Sequence, residues 1–211
     1  LHGREHSFPT RRSSDLTDQI SDLMLITSPE ARENLMTEGR PAQGIVMTGN
    51  PMIDTLMRLL PVARERHPAP PGGPFGLVTL HRPSNVDEPG RLASILSSLA
   101  GLSHLRFFFP VHPRTGRNLE QWGLEVPANV LLGPPMSYLA FTSLESFAEV
   151  VITDSGGVQE ETTVLGVPCV TVRPNTERPI TVELGANVLC PDPAGIPDAV
   201  GQLRGRPGLQ V

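Results

Sequence analysis

The chain of 211 residues contains no lysine; all 17 of its basic residues are arginine. That absence removes a Schiff-base mechanism and the lysine-bearing phosphate loop of many nucleotide hydrolases. Cysteine is scarce too. Cys169 and Cys190 form neither a metal-binding motif nor a disulfide framework, which suits a reducing cytoplasm, the expected setting. No run approaches the roughly 20 apolar residues of a membrane span, so no membrane partner is expected. A formal net charge of −5 argues against a nucleic-acid surface. An anionic small ligand would have to be held by local arginine, histidine and helix ends.

What is present has a regular rhythm. Residues 1–15 show neither a helical nor a strand period and read as a non-native or disordered tail. Short strands at 23–26 and 45–48 alternate with helices that open at Ser28-Pro29-Glu30 and Gly49-Asn50-Pro51. The Pro/Gly-rich segment 67–74 is the clearest linker. Beyond it, 75–80, 105–111, 130–132, 149–153 and 168–172 read as buried strands. Helical patterns at 91–100, 114–121, 137–147 and 158–165 separate them. Continuous apolar strands divided by helices predict an α/β fold, a Rossmann-like doubly wound parallel sheet.

Polar residues follow the strands. His81-Arg82-Pro83-Ser84-Asn85, His112-Pro113-Arg114, Asp154-Ser155-Gly156-Gly157 and Arg173 to Arg178 all lie at carboxyl ends, where open parallel sheets bind ligands. The glycines of 154–161 allow close backbone approach, and the helix after them offers free N–H groups to an anion. Glu161, one turn inside, can accept hydrogen bonds from ribose hydroxyls; the plain alternative is an acidic residue at a helix's positive end. Arg173 and Arg178 offer planar forks for a diphosphate, or else a surface pair with Glu177. His81 and His112 are proton donors, phosphate ligands or structural hydrogen-bonders, and no tight ligand cluster points to a metal. Phe141 either packs on a flat base or belongs to the core.

Five segments occur in order: 46–54 (VMTGNPMID), 79–87 (TLHRPSNVD), 111–115 (VHPRT), 153–161 (TDSGGVQEE) and 173–179 (RPNTERP). Together they resemble the non-hydrolysing UDP-N-acetylglucosamine 2-epimerases, over about residues 16–189. The resemblance implies two Rossmann-like domains in a GT-B-like architecture, with the nucleotide sugar in the cleft between them. Residues 16–73 then correspond to a remnant of the N-terminal domain plus linker, and 74–211 to the C-terminal UDP-binding domain, truncated at its end. It implies interconversion of UDP-GlcNAc and UDP-ManNAc by elimination and re-addition of UDP, without cofactor or metal, in a full-length homodimer. By motif, Ser155, Gly156 and Gly157 correspond to the diphosphate cradle, Glu161 to the ribose ligand, Arg178 to a phosphate ligand and Phe141 to the uracil segment. His81 corresponds to an active-site histidine, and Arg82 and His112 to holders of a second, allosteric UDP-GlcNAc. Ser84 and Ile180 stand where family members usually carry glutamate.

The family's Gly-rich turn, lysine and proton-transfer carboxylates have no counterpart in this sequence. The expectation is therefore a fragment with the UDP half-site, binding UDP weakly without epimerising it. Two other readings share the features: a GT-B UDP-sugar glycosyltransferase, and a UDP-sugar-binding module without chemistry.

Overall fold

A computed structural model describes residues 16–204; the expected tail at 1–15 lies outside the described residues. The chain forms two compact units divided between Asp54 and Thr55. In the first, β1 (Met24–Ile26) and β2 (Ile45–Met47) pair in parallel and flank α1 (Pro29–Thr37) in sequence. Met24, Ile26 and Ile45 are its buried core, with Ala31 and Leu35 of α1 packed against them. The division falls inside α2 (Pro51–Arg66), ahead of the Pro/Gly segment at 67–74, so most of α2 belongs with the second unit. There Arg64 Nε donates to Ser146 Oγ at 2.9 Å.

The second unit carries a six-stranded sheet, every pairing parallel. Its strands are β3 (Phe75–Thr79), β4 (Arg106–Pro110), β5 (Val130–Gly133), β6 (Val150–Thr153), β7 (Cys169–Thr171) and β8 (Asn187–Leu189). Their spatial order is β5-β4-β3-β6-β7-β8. The chain winds outward from β3 to one edge, returns to β6 beside β3, and winds outward to the other edge. The order reverses between β3 and β6, the position where doubly wound folds open a ligand crevice.

The connecting helices are α3 (Pro83–Val86), α4 (Pro89–Gly101), α5 (Pro113–Gln121), α6 (Tyr138–Phe147), α7 (Gly156–Leu165), α8 (Pro179–Glu183) and α9 (Ile196–Arg204). Three of them open with proline directly after an extended residue, where a missing N–H costs nothing and the ring's fixed φ suits the first turn. Strand alternation splits the core in two. Val78, Phe107, Phe109 and Ile152 face Ile95, Leu99, Ile196 and Leu203, whereas Leu77, Val151 and Phe75 face Val158, Phe141 and Leu144. A strand buried on both faces has no polar face to show. That is why these segments read as unbroken apolar runs.

The five strands expected from residue 75 onward are present at the expected places, and the sixth, β8, is additional. It has three residues and lies at the sheet edge, too short to stand out as an apolar run.

Gly76 is fixed by contact. A Cβ there would collide with the Phe107 ring, which lies fully buried on the neighbouring strand. Gly76→Ala is expected to cost about 1–3 kcal/mol through overpacking, seen as a lower urea midpoint with an unchanged m-value.

Candidate functional site

The site is built on the carboxyl ends of β3 and β6, where Thr79 and Thr153 are register partners. The next residue on the β6 side, Asp154, is fully buried. A lone buried carboxylate would be costly, yet this one gathers donors from the β3 side. His81 N–H donates to its Oδ1 at 3.1 Å, Arg82 N–H to Oδ2 at 3.0 Å, and Asn85 Nδ2 to Oδ2 at 2.9 Å. His81 Nδ1 lies 2.9 Å from Oδ1. Donation from Nδ1 puts the proton there and leaves Nε2 as the ring's other polar atom, on a side chain that is mostly exposed. Arg82 Nε donates to the Asp154 carbonyl at 3.0 Å, and Asn85 also reaches the Val172 carbonyl after β7 at 3.1 Å. One carboxylate thus fixes three loop ends.

Helix α7 begins directly beyond. Ser155 occupies its N-cap position in extended conformation, but its side chain makes no capping hydrogen bond; Thr153 Oγ1 instead accepts from the Ser155 N–H at 3.0 Å. Gln159, fully buried on α7, donates to the Ser155 carbonyl at 3.0 Å and accepts from Thr176 Oγ1 at 2.6 Å and Asn187 Nδ2 at 3.2 Å. That amide ties the loop 173–178 and strand β8 to the helix start.

The arginines of that loop are already matched with carboxylates. Arg173 is buried and makes a two-pronged contact with Glu177, at 2.7 Å from Nη1 and 2.6 Å from Nη2. The guanidinium, through its hydrogen bonds first, holds the Glu177 carboxyl down at about 2. Arg82 Nη2 also lies 3.7 Å from Glu177. Arg178 Nε lies 2.8 Å from Glu160 Oε2, close enough for an ion pair but without hydrogen-bond alignment. Arg178 and the 153–161 turn therefore share one side of the molecule, the arrangement a common phosphate site requires.

On the flank of α7, Glu161 is almost fully buried and accepts from Tyr138 Oη at 3.0 Å. Burial raises the Glu161 carboxyl above its ordinary range, the Tyr138 hydrogen bond working against that and the Glu160 charge adding to it. Burial, with the nearby Glu161 charge, pushes the Tyr138 hydroxyl up to about 12. Phe141 packs with the sheet face that holds Phe75 and Leu77, so part of its ring belongs to the core. His112 sits at the N-cap of α5, its Nδ1 accepting from the Arg114 N–H at 3.2 Å. Among the described residues, no group of three His, Cys, Asp or Glu is placed to hold a metal ion.

Two residues of this region have roles that motif reading did not reveal: Asp154, although it lies inside the 153–161 motif, and Glu145. Asp154 carried a signal, a carboxylate directly after four apolar or β-branched residues, but its partners lie some 70 positions away. Glu145 on α6 carried none, since its helical spacing reads as an ordinary face. It is fully buried with neither carboxylate oxygen partnered, and burial, then the Glu161 charge, pushes it well above the usual range.

A parallel sheet whose strand order reverses between β3 and β6, with glycines opening α7 at that point, defines a doubly wound α/β protein. The chain belongs to the UDP-N-acetylglucosamine 2-epimerase family, whose model matches residues 9–208. It is 35% identical over 206 residues to the UDP-N-acetylglucosamine 2-epimerase of Methanocaldococcus jannaschii, covering 91% of this chain and 56% of that one. It is 39% identical over 178 residues to the UDP-2,3-diacetamido-2,3-dideoxy-D-glucuronate 2-epimerase of Pseudomonas aeruginosa, covering 82% and 50%. The structure of the M. jannaschii enzyme in complex with UDP-GlcNAc and UDP superposes with a TM-score of 0.79 at 34% identity, over 91% of this chain and 57% of that one. The chain thus spans between 50% and 57% of the length of these relatives. The GT-B-like α/β fold expected from the sequence is the fold of these neighbours.

Two outcomes are expected from the buried acids. Asp154→Ala strands four donors at the sheet end and is expected to cost about 3–5 kcal/mol, as for a broken buried ion pair, measured by urea denaturation. For Glu145, the folded pKa lies above the unfolded one. Between those values the folded state holds a proton that the unfolded chain releases, so stability falls as pH rises through the window. Glu145→Gln removes that titration; the loss of stability as pH rises above the ordinary glutamate range is expected to flatten, by up to about 1.4 kcal/mol per pH unit.

Proposed function

We propose that this chain provides the nucleotide-holding part of a UDP-N-acetylglucosamine 2-epimerase. The N–H groups at Ser155, Gly156 and Gly157 receive the diphosphate, Arg178 turns from Glu160 to a phosphate, and Glu161 accepts from the ribose. The α6 segment around Phe141 borders the uracil, and His81, its ring held by Asp154, stands near the sugar and phosphates. Arg82 and His112 border a second, allosteric UDP-GlcNAc. In the whole protein, a cytoplasmic homodimer, the C2 proton is removed and the C1–O bond to UDP breaks. A 2-acetamidoglucal and UDP result. Protonation of C2 from the opposite face and re-addition of UDP at C1 then give the epimer.

The observation that carries this reading is the convergence of His81, Arg82, Arg173, Arg178 and the α7 N-terminus on the reversal point between β3 and β6. N–H and guanidinium donors placed in advance stabilise charge as it develops on departing UDP. Retaining UDP beside the glycal keeps re-addition effectively intramolecular. The carboxylates at this edge are committed: Asp154 to His81, Arg82 and Asn85, Glu177 to Arg173, Glu160 to Arg178, Glu161 to Tyr138. None of these four is open to take the C2 proton.

Calorimetry is accordingly expected to show the 211-residue chain binding UDP and binding uridine far more weakly, with Glu161→Gln weakening UDP by about tenfold, as for a hydrogen bond to a charged group. No solvent deuterium is expected at the sugar C2 with this chain. A wild-type chain that ignores UDP, or that exchanges C2 robustly, overturns the assignment.

A further inference from the structure

One acidic group at the proposed UDP site, Glu177, has no role in it so far. Glu177 Oε2 lies beside the first residue of α7: a Cβ built on Gly156 would sit 3.7 Å from it. Its carboxylate is gripped by the buried Arg173 fork at 2.6 and 2.7 Å and approached by Arg82 at 3.7 Å. It therefore occupies the surroundings suited to a phosphate: two guanidinium groups and a helix N-terminus. The side chain is 57% exposed, within reach of an incoming ligand. Arg173 is only 6% exposed and also donates to Asn175 Oδ1 at 3.3 Å, so the pair does not swing away as a whole.

We propose that Glu177 is a specificity-determining residue, a fixed negative charge beside the diphosphate position that favours UDP-sugar over free UDP. This rests on the UDP reading above. The physical reason is charge counting. The sugar-linked diphosphate is a diester with a single charge on each phosphate. Free UDP ends in a monoester that carries about one further negative charge at neutral pH, because its second ionisation lies near 6. A carboxylate a few ångströms away penalises the extra charge, by roughly threefold to tenfold in affinity at the dielectric of a protein surface. With its carboxyl held at about 2, Glu177 keeps its charge at any physiological pH.

The test is calorimetry of UDP and of UDP-N-acetylglucosamine on the 211-residue wild-type chain, on Glu177→Gln and on Glu177→Ala. The amide of the first variant keeps an acceptor for Arg173; the second keeps none. In both variants the affinity ratio is expected to move toward UDP by about threefold or more, whatever happens to the absolute values. A purely structural role, holding Arg173 in place, would weaken both ligands together and leave the ratio fixed, and that result overturns the proposal. If the wild-type chain binds neither ligand, the UDP reading fails and takes this inference with it. If it binds both with variant ratios unchanged, only the inference fails.

Discussion

The Asp154 carboxylate is the constraint on which the site depends. It is buried where β3 and β6 end side by side, and it answers His81, Arg82 and Asn85 with four contacts between 2.9 and 3.1 Å. Two strands that begin separate halves of the winding are joined at the level of the ligand crevice. Because a buried carboxylate is tolerable only when fully answered, the same contacts that satisfy Asp154 also fix the loop after β3 and the histidine ring. Loop precision here follows from the energetics of one buried charge.

The electrostatics of the edge are balanced within the protein. With no lysine, each cation is a planar arginine, and four arginines at the edge have a carboxylate within 4 Å: Arg173 and Arg82 have Glu177, Arg178 has Glu160 and Arg114 has Asp87. On the proposed reading, a phosphate at Arg178 takes the place of Glu160, and Glu177 stays on Arg173. On that reading, selectivity comes from geometry, the helix N–H groups and the fork of Arg178, and much less from net field. A chain of net charge −5 that holds an anionic ligand needs such a local arrangement.

Much of the fold was legible because its strands are buried on both faces, which writes them as apolar runs between turn residues. The five main strands from residue 75 and the helices between them follow from that rule. The turn Thr153 to Glu161 was also legible, since strand, paired glycines and helix start are local features. β8 was not, because three edge residues leave no pattern. Glu177 was read as the alternative partner of Arg173 or Arg178 in a surface pair; the pair with Arg173 forms, but on a buried Arg173 fork.

Glu145 and Asp154 mark the boundary between the two kinds of information. The sequence determined the parallel α/β class, the residues following each strand and the family membership, because hydrophobic period, turn chemistry and motif order are all written within short windows. Only the tertiary structure decided that β3 adjoins β6, that Asp154 meets residues some 70 positions earlier, and that Glu145 is buried without a partner beside Glu161's helix. Burial and long-range pairing depend on how elements stack, and stacking sets whether a carboxylate is a solvated charge, an ion-pair partner or a neutral acid.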